Sequence, residues 1–184
     1  NGIYKLDNYI KEDKPISMFI SHFHLDHVSG VHTLNKFDFK QGIDVYLGKN
    51  RTKDFETLVN PPFTVGYKPR PDNIYTLKSP IRLHELSEEG ESIPFKASAI
   101  EQFHGYGNHG FRFELEGKII SYTGDCGFTD QARKLAKNVD LLICECSNKK
   151  TPDPDLWGHF DPIQAATLAK ETGAKKLILT HFGI

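Results

Sequence analysis

The sequence predicts a mixed α/β protein, and three observations carry that prediction. Short β-branched or aromatic runs alternate with helix-like segments along the chain. Alternating strands meet at Glu116–Gly117 as if in a tight hairpin, whereas the runs "LLICEC" (141 to 146) and "KLILTHF" (176 to 182) are almost continuously apolar, as in strands covered on both faces. Near the C-terminus, "DPIQAATLAKETG" carries a complete set of helix signals.

The remaining strands are expected at "SMFIS" (17 to 21), "DVYLG" (44 to 48), "FRFELEG" (111 to 117) and "KIISYTG" (118 to 124). In the C-terminal helix, Asp161 serves as N-cap, Pro162 takes the first helical position, Gln164 stands in capping-box register and Gly173 stops the helix. Ile163, Ala166, Leu168 and Ala169 are expected to form its apolar stripe. A second helix is expected after Thr129, through "DQARKLAKN", leading to a strand near Val139. Between Gly48 and Ser79, with Pro80 at the flank, Pro61, Pro62, Pro69 and Pro71 suggest a partly irregular insertion.

With 184 residues the chain fits the length of a single domain over 1–184. Hydrophobic residues at 38% and charged residues at 26% suit a soluble globular protein, and no apolar run approaches the roughly 20 residues a bilayer demands. The opening "NGIYKLDNYI" has neither a basic start nor a long apolar centre, so no signal peptide is expected. A net charge of −1 gives no global attraction to nucleic acid or acidic lipid. Cys126, Cys144 and Cys146 form no disulfide framework; they read as small buried apolar residues, and a cytoplasmic setting is expected.

Chemistry concentrates in "SHFHLDHVSG", which follows the apolar run "ISMFI". In an extended segment, residues two apart project to the same side, so His22 and His24 can serve one metal ion. Asp26 and His27 then fall in the next turn or helix start, able to face a second ion, and Gly30 eases the packing of that helix. A solvated, histidine-rich turn is the bland alternative, but four ligand-type side chains directly after a buried strand disfavour it. Imidazole and carboxylate donors suit Zn²⁺, Mn²⁺ or Fe²⁺ better than a cysteine-type structural site. His104, Asp125 and His181 each follow an apolar strand, as expected of side chains delivered to a common crevice at one sheet edge.

HxHxDH at 22 to 27, His104, "TGD" at 123 to 125 and "LTHF" at 179 to 182 together resemble the metallo-β-lactamase superfamily over nearly the whole chain. The resemblance implies an αββα four-layer sandwich, here clipped at both ends, and two divalent metal ions, expected to be Zn²⁺ with Mn²⁺ or Fe²⁺ as alternatives. By the same resemblance His22, His24 and His104 bind one ion, Asp26, His27 and His181 the other, and Asp125 bridges them. A hydroxide bridging the ions is then the nucleophile, and Asp26 counts among the catalytic groups as well as the ligands. His109 competes with His104 as a ligand, but His104 stands at the family's spacing. His32 and His84 read as surface residues.

"GHFDPIQAATLAKETGAKKLILTHF" is similar to the corresponding stretch of ribonuclease Z and related phosphodiesterases, which implies His159 as proton donor to the leaving oxygen. Glu145, in "LLICECS", stands where that subgroup places the carboxylate that orients the donor. The expected activity is therefore phosphodiester hydrolysis, on RNA as in a ribonuclease Z-like nuclease or on a small or cyclic phosphodiester. A glyoxalase-II-like thioesterase and a non-hydrolytic metal-binding or redox member are the alternatives. For RNA, Lys49, Arg51, Lys53, Lys68 and Arg70 could contact phosphates, with Phe55, Phe63 and Tyr67 stacking on bases. The expected partner is the phosphodiester substrate, with no membrane; a homodimer follows from the resemblance alone.

Overall fold

The structure is a computed structural model that describes residues 2–69, 71, 75–92 and 95–183, so Arg70 lies outside the described residues. The chain separates into two compact units, Asn1–Glu85 and Leu86–Ile184, and each holds its own sheet.

In the first unit, β1 (Ile16–Ile20) pairs in parallel with β2 (Ile43–Gly48), Met18 opposite Val45, and β3 (Ile81–Leu86) completes a three-stranded sheet in the order β1-β2-β3. The link from β1 to β2 holds the short helix α2 (Leu25–Val28) and a 3₁₀ helix, Ser29–Lys36. Ile43, Val45 and Leu47 occupy alternate positions of β2 and are fully buried, as one face of a strand requires. They share a core with Ile20, Val28 and Leu34. On β2 between them, Tyr46 is sandwiched between the rings of Phe19 (4.7 Å) and His84 (4.8 Å).

The proline-rich insertion is more ordered than its composition suggests. Helix α1 (Leu6–Tyr9) precedes β1, and α3 (Thr52–Leu58) opens the insertion itself, with the Glu85 carboxylate accepting from the backbone N–H of Asn50 and of Thr52. Phe55 is fully buried and Tyr67 nearly so, their rings 6.1 Å apart, and the Tyr67 hydroxyl donates to Glu56 at 2.5 Å. This overturns the expectation that Phe55 and Tyr67 stack on bases: both anchor the insertion to the core. His84 likewise departs from the surface reading, since its Nε2 lies 2.7 Å from Asp44 Oδ1 and its ring on Tyr46.

In the second unit, β4 (Glu91–Ser92), β5 (Lys96–Glu101), β6 (His109–Leu115) and β7 (Lys118–Tyr122) run as an antiparallel meander. β8 (Leu141–Cys146) joins β7 in parallel and β9 (Leu177–Phe182) joins β8 in parallel, giving six strands in chain order. Helix α4 (Asp130–Ala136) links β7 to β8, and α5 (Pro162–Thr172) links β8 to β9. The β6–β7 hairpin turns through Glu116 and Gly117, both at positive φ (49° and 72°), the geometry that favours glycine and a two-residue turn.

Both helices are capped as their sequences dictate. The Thr129 side chain accepts from the Ala132 N–H, and Asp161 with Gln164 closes a full capping box ahead of Pro162. Gly173 ends α5 at φ 72°. The buried face of α5 differs from the expected stripe: Ala165, Leu168 and Thr172 point inward, and Ile163 is 78% exposed. Spacings of three and four residues select that face, and the small Ala165 brings the helix close to Leu142, Cys144 and Phe160.

Topology decides where the functional residues fall. β5 and β7 are each antiparallel to β6, and β8 and β9 are parallel to β7, so β5, β7, β8 and β9 all run the same way. Their carboxyl ends share one edge of the six-stranded sheet. His104, Asp125, Glu145 and His181 all lie at or just past those ends.

Candidate metal centre

In the first unit, β1 ends at Ile20 and delivers Ser21 and His22 to the sheet edge. His22 is buried, and its Nδ1 lies 3.1 Å from Ser21 Oγ, which fixes the ring orientation. The rings of His24 and His27 lie 4.6 and 4.2 Å from that of His22. His24 is the N-terminal flanking residue of α2, so Asp26 and His27 stand in the first turn of a helix, with His27 Nε2 3.2 Å from Asp26 Oδ2. The whole HxHxDH set thus gathers at one point of this unit.

In the second unit, Asp125 stands between two imidazoles: its Oδ2 is 3.4 Å from His181 Nε2 and 3.9 Å from His104 Nε2. A carboxylate flanked in this way suits the bridging role expected of it. Gly124 takes φ 62° to turn the chain after β7, and the Asn108 amide donates to the Asp125 backbone carbonyl. His181 itself sits at φ 55°, a left-handed conformation that costs a non-glycine residue about 1 kcal/mol. The β8–β9 register shifts at Glu145/Cys146, directly beside it. Such bulges re-aim a side chain where a sheet meets a functional site.

His104 directs Nδ1 to the backbone carbonyls of Trp157 (2.8 Å) and Gly158 (3.1 Å), which leaves Nε2 for the Asp125 side. Burial holds this imidazole below its ordinary pKa and so in the neutral form a metal requires. His109 lies apart from this arrangement, its Nδ1 3.1 Å from the Gly107 carbonyl at the start of β6.

His159 and Glu145 pair beside these residues. Glu145 Oε1 lies 2.9 Å from His159 Nδ1 and also accepts from the N–H of Phe160 (3.0 Å) and Cys126 (3.2 Å), while Oε2 accepts from Ser147 (2.7 Å). Both carboxylate oxygens are thus engaged, Oε1 by three donors and Oε2 by one. The Glu145 hydrogen bond raises the His159 pKa above its ordinary value, against the opposing effect of burial. The His159 ring lies 4.6 Å from that of His104 and 5.8 Å from that of His181.

A family model described as "Beta-lactamase superfamily domain" matches residues 9–182. The chain belongs to the beta-lactamase superfamily. As a beta-lactamase superfamily domain it is 26% identical to the probable metallo-hydrolase YhfI of Bacillus subtilis (strain 168) over 194 residues, 98% of this chain and 72% of that protein. The crystal structure of human tRNase Z, short form, superposes with a TM-score of 0.72 at 26% identity, covering 98% of this chain and 77% of that one. A local match to ribonuclease BN of Proteus mirabilis, 41% identical over 100 residues, covers 53% of this chain and 32% of that protein. The two sheets and their helices are the fold of these superfamily members.

The donor chemistry of this beta-lactamase superfamily domain fits a divalent metal. Imidazole nitrogens and carboxylate oxygens cluster in each unit; in the second, ligand atoms of His104, Asp125 and His159, and of Glu145, His159 and His181, approach within 4.8 Å of one another. Thiolate ligation is disfavoured, because Cys126, Cys144 and Cys146 are free but buried, with their pKa values pushed up by desolvation. The residues that sequence reasoning missed are the supports: Asn108 under Asp125, the Trp157 and Gly158 carbonyls behind His104, and Asp155, whose Oδ1 accepts from both Trp157 and Gly158 N–H groups. Backbone carbonyls carry no sequence signature, so no local pattern marks them. Among the described residues, no helix is long and apolar enough to cross a membrane.

Proposed function

We propose that the chain is a dinuclear metal-dependent phosphodiesterase, in which the two units act as one hydrolase domain. The observation that carries this reading is the Glu145–His159 pair, at 2.9 Å, set beside His104, Asp125 and His181. A histidine whose Nδ1 faces a buried carboxylate, beside the other donor side chains, is placed to hand a proton from Nε2 to a poor leaving group.

In this reading His22, His24 and His104 would hold one ion, and Asp26, His27 and His181 the other, with Asp125 available to both. When bound, two such ions lower the pKa of a water toward neutrality and polarise the oxygen of the electrophile. Zn²⁺ is the proposed metal, the donor set admitting Mn²⁺ and Fe²⁺. The chain's own residues do the remaining work. Glu145 fixes Nδ1–H of His159 as its donor, so Nε2 is the atom that carries the mobile proton. Its raised pKa keeps that proton in place until the leaving alkoxide takes it, the task of a general acid. Asp26, in the first turn of α2, joins the catalytic group as ligand and as neighbour of His27.

Relatives named tRNase Z and ribonuclease BN support a phosphodiester as substrate, whether RNA or a small or cyclic ester. In the insertion, exposed Lys49, Lys53, Lys68 and Phe63 support the RNA form of the reading, whereas Arg51 is engaged with Asp54 at 3.0 Å. The three free, buried cysteines support a cytoplasmic setting, and a homodimer rests on the family resemblance. The test is turnover by metal-loaded protein of bis(p-nitrophenyl) phosphate, a cyclic nucleotide, a precursor transfer RNA and a glutathione thioester. Hydrolysis of a phosphodiester is expected. Activity on the thioester alone would replace this reading with a thioesterase.

A further inference from the structure

We propose that Trp157 and Phe103 form an aromatic platform for the base of a nucleoside phosphodiester, beside the catalytic histidines. The inference rests on the phosphodiester reading and names its substrate class more closely. Trp157 is 73% exposed and Leu156 beside it 74%, while Phe103 keeps 48% of its surface open. Single exposed apolar side chains need no explanation. These lie on the two loops that hold the catalytic centre of the second unit in place.

Trp157 gives its carbonyl to His104 and precedes His159 by two residues; Phe103 immediately precedes His104. The loops are locked to each other. The Gly127 N–H donates to the Phe103 carbonyl at 3.0 Å, and a Cβ at Gly158 would fall 2.0 Å from that same carbonyl oxygen. A Cβ at Gly127 would meet the Phe103 ring at 2.9 Å, so glycine is needed at both positions to let this ring lie where it does. Asp155 caps the turn that presents Trp157. Both rings are therefore carried on fixed backbone, which lowers the ordering cost of stacking a ligand on them.

An open cleft of about 490 Å³ adjoins Phe103 and His104, within the size range of small-molecule sites. Glu88, Glu101, Gln102, Gly105, Thr129 and Gln131 also line it. An alkyl or acyl chain would call for an enclosed apolar groove, and a phosphate within the cleft itself would be repelled by Glu88 and Glu101. A planar heterocycle meets both conditions, with its face on an aromatic ring and its polar edge toward amide and hydroxyl groups. Because the platform neighbours the proton donor, the recognised base is expected on the nucleoside directly attached to the scissile phosphate.

Trp157 is the only tryptophan in the chain, so its fluorescence reports on this platform without any turnover. Adenosine 5′-monophosphate is expected to quench it saturably, and ribose 5-phosphate to leave it unchanged. No quenching by the nucleotide, or equal quenching by the sugar phosphate, would overturn the proposal. In kinetics, Trp157→Ala and Phe103→Ala are expected to lower kcat/KM for thymidine 5′-(p-nitrophenyl) phosphate about tenfold more than for methyl p-nitrophenyl phosphate, through KM, with Trp157→Phe restoring most of the loss. Equal losses on both esters would mean a structural role and contradict it. Retained nucleotide quenching in a wild-type protein that hydrolyses neither ester would support the platform while refuting the phosphodiesterase reading.

Discussion

Glu145 and His159 are joined by a 2.9 Å contact in which the carboxylate, 1% exposed, also receives the backbone N–H groups of Cys126, Ser147 and Phe160. The imidazole is thus oriented by an acceptor that the fold itself holds fixed. His159→Ala is expected to lower kcat by about 10²- to 10⁴-fold while metal content stays at the wild-type value. Loss of metal in this variant would make His159 a ligand and refute its role as donor.

Glu145→Gln tests the orienting group separately. An amide nitrogen placed against those backbone donors leaves buried N–H groups facing each other, costing about 1–3 kcal/mol of stability. Denaturant midpoints should fall, and kcat should fall as well. An unchanged kcat would show that His159 does not depend on this carboxylate.

His104 and His109 offer a clean comparison. His104 Nε2 lies 3.9 Å from Asp125 Oδ2, whereas His109 addresses the Gly107 carbonyl. Elemental analysis should find less metal per protein in His104→Ala and an unaltered ratio in His109→Ala. The reverse pattern would exchange their roles.

Stability in acid should depend on Asp44. Its carboxylate accepts from Arg82 Nε (2.8 Å) and Nη2 (2.7 Å), and the Arg82 hydrogen bond, which outweighs burial, holds its pKa below the ordinary 3.8. A carboxyl with a lower pKa folded than unfolded adds stability above pH 3.8, and the gain disappears as pH falls through the folded value. Arg82 is 46% exposed, so solvent screening limits the contribution to about 0.5–1 kcal/mol. Urea midpoints of wild type and Arg82→Ala should differ at pH 7 and converge in acid; a gap independent of pH would contradict this.

The cap of α5 should be worth more. Asp161 accepts from Gln164 N–H and Thr151 N–H, both at 2.9 Å. Asp161→Ala is expected to cost about 1–2 kcal/mol, read by denaturant titration, and Asp161→Asn to recover much of it. Equal stability of all three proteins would contradict the capping assignment.

Local signals made much of this legible in the sequence. The span "LLICEC" coincides with β8, the capping box and Gly173 bound α5, and Glu116–Gly117 makes the hairpin. HxHxDH was readable because a strand period and a helix turn together bring its side chains to one place. What escaped was set by tertiary packing. α3 lies in a proline-rich stretch whose composition suggests a loop, and Phe55 and Tyr67 look like exposed aromatics until the core takes them in. β3, "IRLHEL", mixes Arg82 and His84 into a strand, and their reason for being there is Asp44 on its neighbour β2. The carbonyl supports of His104 come from a loop more than fifty residues away, beyond the reach of any local pattern.

The central claim is that this chain holds two divalent ions and uses them to cleave a phosphodiester. Its most direct test is the metal-to-protein ratio of pure protein after supply and removal of excess Zn²⁺ or Mn²⁺. A ratio near two, falling in His22→Ala and Asp125→Ala, is the expected result; protein that retains no metal would contradict the account.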